Sequence, residues 1–267
     1  MRIGIVARTD GHSDLEMVAK IIRHLKGEEV VLEPALAKRI GRSPGKAQSF
    51  NSCDAIVTVG GDGTVLHAQK LAPDVPILGI NLGRRGFLAE VNPNDALKAL
   101  RMLREGKLRV VERSRLAATV KGKSLPEALN DVVIGSSVAG KTASLEVMID
   151  GQEALDFRCD GIIVATPTGS TAYTHAAGGP VVDPRLKSIV ITPICPTHPR
   201  QCSIVIPPES LVQVAPTRPG RDALVIVDGD PVTKVSQGEK VEVRLSRNCA
   251  RFFEWESFYR KVKERLL

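Results

Sequence analysis

The pattern of apolar residues changes near residue 110, and this change restricts the possible folds more than any other feature of the sequence. Before it, short apolar runs such as residues 3–7 and 55–59 alternate with segments such as 14–25, in which apolar residues recur at helical spacing. Alternating strands and helices predict a parallel sheet covered by helices. After it, apolar or alternating runs such as residues 223–227 follow one another across short turns such as 228–229, which is typical of an antiparallel sandwich.

We therefore predict an α/β domain over residues 1–108 and an all-β, sandwich-like domain over 109–248. Residues 249–267 form a C-terminal segment whose amphipathic helix returns to the first domain. Aromatic residues make up only 3% of the chain, so the cores must be built from Val, Ile, Leu and Ala, which suits stacked sheets. Residues 38–48 are rich in Gly, Pro and Arg and are predicted to form a mobile loop.

Composition favours a cytoplasmic protein without a membrane span. No apolar run approaches the roughly 18–20 residues that cross a bilayer, and the N-terminus turns polar too early for a signal peptide. The five cysteines are scattered and include no C-x-x-C pair, which argues against a disulfide framework or a zinc site. The histidines show no metal-ligand spacing, so no dedicated metal site is predicted.

The net charge of +7 leaves three interpretations open: a nucleic-acid surface, an ordinary basic surface, or the handling of phosphorylated small molecules. Few aromatic residues are present to stack on single-stranded bases, and there is no zinc finger or RNP sequence. We therefore expect no nucleic-acid partner.

A glycine-rich loop follows the apolar run at 55–59. It consists of Gly60, Gly61, Asp62, Gly63 and Thr64, and a helical pattern begins at Thr64. Glycines allow backbone N–H groups to approach a phosphate, and a helix N-terminus favours an anion. A carboxylate among phosphates suggests chemistry, namely accepting a proton from an attacking hydroxyl. The alternative is a tight turn in which Asp62 only caps the helix.

His67 lies one turn into that helix, where it either approaches a phosphate or faces solvent. Arg84 and Arg85 likewise either contact the phosphates of a phosphoryl donor or face solvent.

A second unusual segment spans residues 160–180. An apolar strand at 161–165 leads into a loop dense in hydroxyl groups and glycine, with one tyrosine, Tyr173. Such a loop can hydrogen-bond a sugar and a base while the tyrosine ring gives a flat apolar contact. The alternative is a Thr- and Gly-rich connection within a β domain.

Residues 135–142 match the P-loop pattern G-x-x-x-x-G-K-[ST]. A P-loop requires a helix after its Lys-Thr pair, whereas Leu145, Val147 and Ile149 recur at every second position before an Asp-Gly turn, which is the spacing of a strand. We expect a connection between two strands, with Lys141 available to a ligand phosphate.

Residues 59–64 resemble the phosphate loop shared by NAD kinases, diacylglycerol and sphingosine kinases and, more distantly, phosphofructokinases. Residues 160–173 closely resemble the signature of the NAD kinase family. Residues 129–134 and 81–88 resemble two further segments of that family, in the expected order. The resemblance covers nearly the whole chain and implies the NAD kinase/diacylglycerol kinase-like fold.

The resemblance implies transfer of a phosphoryl group from ATP or polyphosphate to the adenosine ribose 2′-hydroxyl of NAD, giving NADP. Asp62 matches the catalytic proton acceptor. The residues that match NAD contacts are Asp62, Gly63, Asn130, Asp131, Lys141, Arg158, Asp160, Thr168, Thr171, Ala172, Tyr173, Thr174, His175, Ala176 and Asp230. Two of them depart from the usual pattern, because Asp131 replaces a Glu and Asp230 a Gln.

The resemblance also implies Mg²⁺ or another divalent cation, brought with the donor phosphates, and a homodimer or homotetramer. In some members the residue that matches Asp160 reaches the dinucleotide from a neighbouring subunit. Two rival functions remain. A lipid kinase with the same glycine loop would not explain residues 160–173, and a non-catalytic NAD or phosphate sensor would not need Asp62.

Overall fold

A computed structural model describes residues 1–9, 11–44, 47–83, 86–138, 140–197 and 202–266. The chain divides into two compact units. The first unit combines Met1–Glu112 with Ala250–Leu267, and the second is Arg113–Cys249.

In chain order, the helices and strands are β1 (Arg2–Ala7), α1 (His12–His24), β2 (Glu29–Leu32), α2 (Pro34–Arg39), β3 (Ala55–Gly60), α3 (Asp62–Leu71), β4 (Ile77–Asn81), α4 (Ala96–Arg104), β5 (Val110–Val120), β6 (Lys123–Ser124), β7 (Asp131–Ser136), β8 (Ala143–Ile149), β9 (Gln152–Cys159), β10 (Gly161–Ala165), α5 (Tyr173–Ala176), β11 (Ile189–Ile194), β12 (Ile204–Ile206), β13 (Val212–Pro216), β14 (Ala223–Val227), β15 (Asp230–Val235), β16 (Val241–Phe253) and α6 (Phe258–Arg265). Short 3-10 helices span Ala47–Ser52, Pro93–Asp95 and Gly169–Thr171.

The first unit is built on a parallel sheet. Its strands run in the order β2-β1-β3-β4, and the end of β16 joins β4 through the pair Phe252 and Ile77. Every residue of β3 is buried, as expected for a central strand with helices on both faces. The apolar sides of α1 and α4 pack on this sheet through residues such as Val18, Ile21 and Leu100. The carboxyl end of β3 leads directly to the glycine loop.

The prediction of a loop over residues 38–48 was partly wrong. Helix α2 reaches Arg39, because Pro34 at its first position and the Glu33 side chain, which accepts the Leu36 N–H at 3.0 Å, start a short helix. A 3-10 helix then begins at Ala47. Six-residue helices are too short to reveal a helical period in the sequence.

The second unit is a sandwich of two largely antiparallel sheets. One contains the order β16-β13-β8-β9, and the other runs β12-β11-β10-β7-β14-β15. Side chains alternate between buried and half-buried along β8 and β14, and the inward ones form a single core that includes Leu145, Val147 and Val225. This arrangement and the parallel sheet of the first unit confirm the predicted fold class.

The segment that matches the P-loop pattern leads into a strand. Strand β8 begins at Ala143, directly after Thr142, and pairs with β9 across the turn at Asp150 and Gly151. No helix follows Lys141 and Thr142, so the backbone of a true P-loop is absent from this described segment. Ala139 lies outside the described residues.

The final helix, α6, belongs to the first unit. It contacts residues 86–90, since Lys261 hydrogen-bonds the Phe87 carbonyl group. No helix in the described ranges has the length and apolar character needed to cross a membrane.

Candidate active site

Asp62 is the first residue of α3, directly beyond the carboxyl end of β3. The helix starts two residues earlier than the sequence pattern suggested, with Gly61 as its N-cap. No side-chain capping hydrogen bond is formed at this helix start. Asp62 is therefore a helical residue and not the N-cap, and its carboxylate binds N–H groups of residues 87–89 instead of capping α3.

The Asp62 carboxylate is held by three consecutive backbone N–H groups from a distant segment. The Phe87 N–H donates to Oδ2 at 2.7 Å, and the Leu88 and Ala89 N–H groups donate to Oδ1 at 3.0 and 2.9 Å. A carboxylate offers about four acceptor positions. These bonds use three of them, which fixes the side chain and leaves one position on Oδ2 for a hydroxyl donor.

Gly86 makes this approach sterically possible. A Cβ atom placed on Gly86 would lie 2.1 Å from Oδ1 and 2.4 Å from Cγ of Asp62. Those separations are far below van der Waals contact. In the sequence, this segment is distinguished only by its family resemblance, because no local pattern reveals that its backbone binds a carboxylate.

The other loop residues lie around the start of α3. Gly63 is exposed, Thr64 is half-buried and His67 is exposed on the helix surface. Exposed N–H groups at a helix start suit an anion. Arg84 and Arg85, the other candidates for phosphate contact, lie outside the described residues.

In the second unit, Asp228 organises the backbone around Asn130. Its carboxylate accepts N–H groups from Leu129 and Asn130, both at 2.8 Å, and from Asp131 at 3.2 Å. Asp228 is buried and has a positive φ of 47°. In the sequence, residues 228–229 indicate only a turn, because Asp and Gly are preferred in turns.

Thr166 and Gly169 hold the same backbone from the other side. The Thr166 hydroxyl donates to the Leu129 carbonyl at 2.6 Å and accepts the Gly169 N–H at 3.0 Å. A Cβ atom on Gly169 would lie 2.0 Å from the Asn130 carbonyl oxygen. These contacts join the segment before β7 to the loop after β10, although neither Thr166 nor Asp228 was a candidate from the sequence.

Asp131 is 5% exposed at the start of β7. Burial, and secondly the negative charge of Asp228, raises the pKa of Asp131 to about 7 from its ordinary value of 3.8. Near neutral pH this carboxyl group is therefore present in both protonation states. It can donate a hydrogen bond to a ligand hydroxyl as well as accept one.

The raised pKa predicts a pH-dependent stability. Between pH 3.8 and about 7 the folded chain binds more protons at Asp131 than the unfolded chain does. The contribution to stability is complete below pH 3.8 and is lost as the pH rises through about 7. We expect Asp131→Asn to raise the melting temperature more at pH 8 than at pH 5. The difference should be roughly 2–4 °C for each kcal/mol of unfolding free energy that ionisation of Asp131 removes from the wild type.

Melting curves of Asp131→Asn and wild type across this range test the prediction. Asp156→Asn is the matched control, because Asp156 lies on an exposed position of β9 in the same unit. An equal gain for Asp131→Asn at both pH values would contradict the assigned titration.

The hydroxyl-rich loop divides into inward and outward residues. Thr168 is buried, and its carbonyl group accepts the Thr171 hydroxyl at 3.1 Å. Thr174 is fully buried, so its side chain presents no surface to a ligand in this conformation. The candidates that retain accessible surface are Thr171, Ala172, Tyr173, His175 and Ala176.

The remaining candidates for NAD contact are all exposed. Arg158 donates to the Thr142 hydroxyl at 3.1 Å, which places it beside the loop that carries Lys141. Asp160 lies at the bend between β9 and β10, and Asp230 begins β15. Strands β10 and β15 lie in one sheet, separated by β7 and β14.

Two families of known proteins match most of this chain. The ATP-NAD kinase N-terminal domain matches residues 3–108, and the ATP-NAD kinase C-terminal domain matches residues 129–255. Together these segments contain Asp62, Asn130, Asp131 and the hydroxyl-rich loop.

Full-length relatives carry the same description. The NAD kinase of Methanothermobacter thermautotrophicus is 36% identical over 100% of this chain and 96% of its own length. The NAD kinase of Thermococcus gammatolerans is 39% identical over 94% of this chain and 93% of its own length.

Two solved structures are also similar. The NAD kinase of Archaeoglobus fulgidus in complex with ATP has a TM-score of 0.81 and 31% identity, covering 98% of this chain and 99% of that one. Yeast NADH kinase complexed with NADH has a TM-score of 0.92 and 26% identity, covering 100% and 87%. The resemblance noted in the sequence is confirmed, and the chain belongs to the NAD kinase family.

Proposed function

We propose that this chain transfers the terminal phosphoryl group of ATP to the adenosine ribose 2′-hydroxyl of NAD, giving NADP and ADP. The observation that carries the proposal is the Asp62 carboxylate. Three backbone N–H groups fix it within the glycine loop, and one acceptor position remains for a hydroxyl donor.

In this proposal Asp62 accepts the proton of the ribose 2′-hydroxyl while its oxygen attacks the terminal phosphorus. A new O–P bond forms as the bond to the leaving ADP oxygen breaks. Gly60, Gly61, Gly63 and Thr64 would hold the donor phosphates near the start of α3, where N–H groups favour negative charge. Positioning and charge stabilisation contribute most of the catalysis in phosphoryl transfer.

We assign the adenosine end of NAD to Asn130 and Asp131. The support is rigidity, because Asp228, Thr166 and Gly169 hold the backbone of this pair. Asp131 is shorter than the Glu that is usual at this position, but it can still bond a sugar hydroxyl if its backbone is fixed. The accessible part of the loop at 171–176 would contact the adenine and ribose.

The exposed residues Arg158 and Asp160 extend the proposed NAD site, with Lys141 beside them. Asp230 is proposed as a further contact, although a carboxylate cannot donate as the usual amide does.

Assembly into a homodimer or homotetramer would allow Asp160 to serve a neighbouring subunit. Mixing an Asp160→Ala chain with a catalytically inactive chain tests such sharing, since mixed oligomers would recover activity.

Mg²⁺ is proposed to enter with the donor. The described residues contain no group of three or more His, Cys, Asp or Glu side chains that could hold a metal ion. A divalent ion that is carried mainly by phosphate oxygens fits this surface better than a resident ion does. When bound, it would neutralise the charge that develops on the transferred group. ATP is the proposed donor, and polyphosphate is the alternative to compare with it.

A cytoplasmic location is also proposed, because all five cysteines are free, as expected under reducing conditions.

The decisive experiment incubates the purified chain with NAD, ATP and Mg²⁺ and measures NADP with an NADP-specific dehydrogenase. We expect NADP in an amount equal to the ADP released. Parallel reactions replace ATP with polyphosphate, or NAD with diacylglycerol. NAD binding without NADP formation would support a sensor, and phosphorylated lipid would support a lipid kinase.

Lys141 gives a prediction that separates this proposal from a P-loop ATPase. Because β8 follows it where a P-loop needs a helix, we expect Lys141→Ala to raise the apparent KM for NAD moderately and to leave the KM for ATP within about twofold. Lys123→Ala, an exposed lysine of β6, is the control. A lost ATP affinity with unchanged NAD affinity would show that the segment does bind the donor.

A further inference from the structure

Helix α6 carries two cations into the interior of the first unit. Lys261 is 2% exposed, and the Arg265 side chain is 7% exposed. A charged side chain is buried at a large cost unless it is paired and hydrogen-bonded. Their neighbour Lys263 on the same helix is exposed, as is usual for a lysine on a C-terminal helix. The two buried cations therefore need a specific explanation.

Both cations bind carbonyl groups of the segment that holds Asp62. Lys261 Nζ donates to the Phe87 carbonyl at 3.1 Å and pairs with the Glu90 carboxylate. Arg265 donates to the Gly86 carbonyl and pairs with Glu256. The Arg265 guanidinium also lies 5.8 Å from the centre of the Phe87 ring.

The same two peptide groups contact α6 with one side and Asp62 with the other. The peptide that joins residues 86 and 87 presents its carbonyl to Arg265 and its N–H to Asp62. The next peptide presents its carbonyl to Lys261 and the Leu88 N–H to Asp62. Because a peptide group is planar, fixing the carbonyl also fixes the direction of the N–H. A cation on the carbonyl further polarises the N–H as a donor.

Glu90 fixes the lysine in turn. One carboxylate oxygen pairs with Lys261, and the other accepts the N–H groups of Trp255 and Glu256 at 3.0 and 3.1 Å. The ammonium group is thus held between a fixed carboxylate and the Phe87 carbonyl. This leaves the lysine little freedom to release the segment.

We propose that Lys261, assisted by Arg265, is a positioning residue for Asp62, acting through the peptide groups of residues 86–88. The catalytic part of the inference rests on the proposed function, because it requires Asp62 to accept the proton. The structural part does not, because it concerns only how firmly the N–H groups of residues 87–89 are held.

The experiment compares Lys261→Met with Lys263→Met, the same substitution at an exposed position of α6. Amide hydrogen exchange on a peptide that covers residues 86–90 measures how firmly the segment is held. We expect at least tenfold faster exchange there in Lys261→Met and no change in Lys263→Met. Unchanged exchange in Lys261→Met would overturn the proposal whether or not the chain makes NADP.

Steady-state kinetics on the same variants test the consequence for turnover. We expect Lys261→Met to lower kcat on the order of 10- to 100-fold, as small displacements of a catalytic group do, with the KM for NAD within about twofold. Adding Lys261→Met to Asp62→Asn should cause little further loss, because the two residues act as one unit. Fully multiplied losses would mean that Lys261 does not act through Asp62.

A folding defect is controlled with Glu90→Gln combined with Lys261→Met. The double substitution removes the buried carboxylate that Lys261→Met alone leaves without its ion pair. It does not restore the hydrogen bond to the Phe87 carbonyl. We expect a melting temperature nearer to wild type with kcat still lowered. A stable double variant with wild-type kcat would overturn the proposal, whereas a wild-type chain that forms no NADP would overturn the proposed function instead.

Discussion

Asp62→Asn should lower turnover on the order of 10²–10⁴-fold, the usual effect of losing a general base. An amide cannot take the proton of the ribose hydroxyl. It also cannot accept all three N–H groups that bind the Asp62 carboxylate, because one of its two ends is a donor. NAD and ATP affinity, measured by direct titration, should change little, since the loss falls on the reacting group.

Asp74→Asn is the control for this variant, because Asp74 is an exposed carboxylate of the same unit. Both variants should be shown by melting curves to be folded before their rates are compared. Near-normal NADP formation by Asp62→Asn would remove Asp62 from the catalytic role and leave the glycine loop as a binding element only.

Strands that are buried on one or both faces could be predicted closely from the sequence. Residues 161–165 and 223–227 were expected as strands and are β10 and β14 with those bounds. Strands β9 and β15 were not predicted as strands. They are edge strands, and most of their side chains are exposed, so they carry little apolar alternation for a pattern to detect.

The candidate site shows the same division between local and distant information. Asp62 could be predicted because its glycines, its strand and its helix are adjacent in sequence. Its three anchors could not, because they lie 25 to 27 residues away and act through backbone N–H groups, which every residue type except proline supplies.

Asp228 was missed for a related reason. It lies 97 to 99 residues from the backbone groups that it binds, and an Asp-Gly pair between two strands is sufficiently explained as a turn. The raised pKa of Asp131 comes first from its burial and secondly from the negative charge of Asp228, and neither cause can be derived from the sequence. Only the residue type at position 131 could be read from the sequence, and its surroundings could not.

Gly86→Ala should have the second-largest effect on activity, although it adds a single methyl group. The new Cβ atom would lie 2.1 Å from Oδ1 of Asp62, so either the carboxylate or the 86–89 segment must move. The carboxylate is the end of a side chain and moves more easily, which breaks the hydrogen bonds that aim it. Misplacing a catalytic group by about 1 Å can cost on the order of 10²-fold in rate. We expect kcat to fall by about that factor while the chain still folds.

Gly83→Ala provides the steric comparison for this substitution. The nearest atom to a Cβ there is Oδ1 of Asn81 at 3.9 Å, an ordinary contact, so a far smaller loss is expected. Rates of NADP formation, melting temperatures and NAD titrations for both variants separate misplacement from unfolding. Combining Gly86→Ala with Asp62→Asn should add little to the loss caused by Asp62→Asn alone, since the methyl group acts on a side chain that has already lost its function. If Gly86→Ala turns over like the wild type, the Asp62 carboxylate does not need this anchored position, and the geometric basis of the proposed mechanism is wrong.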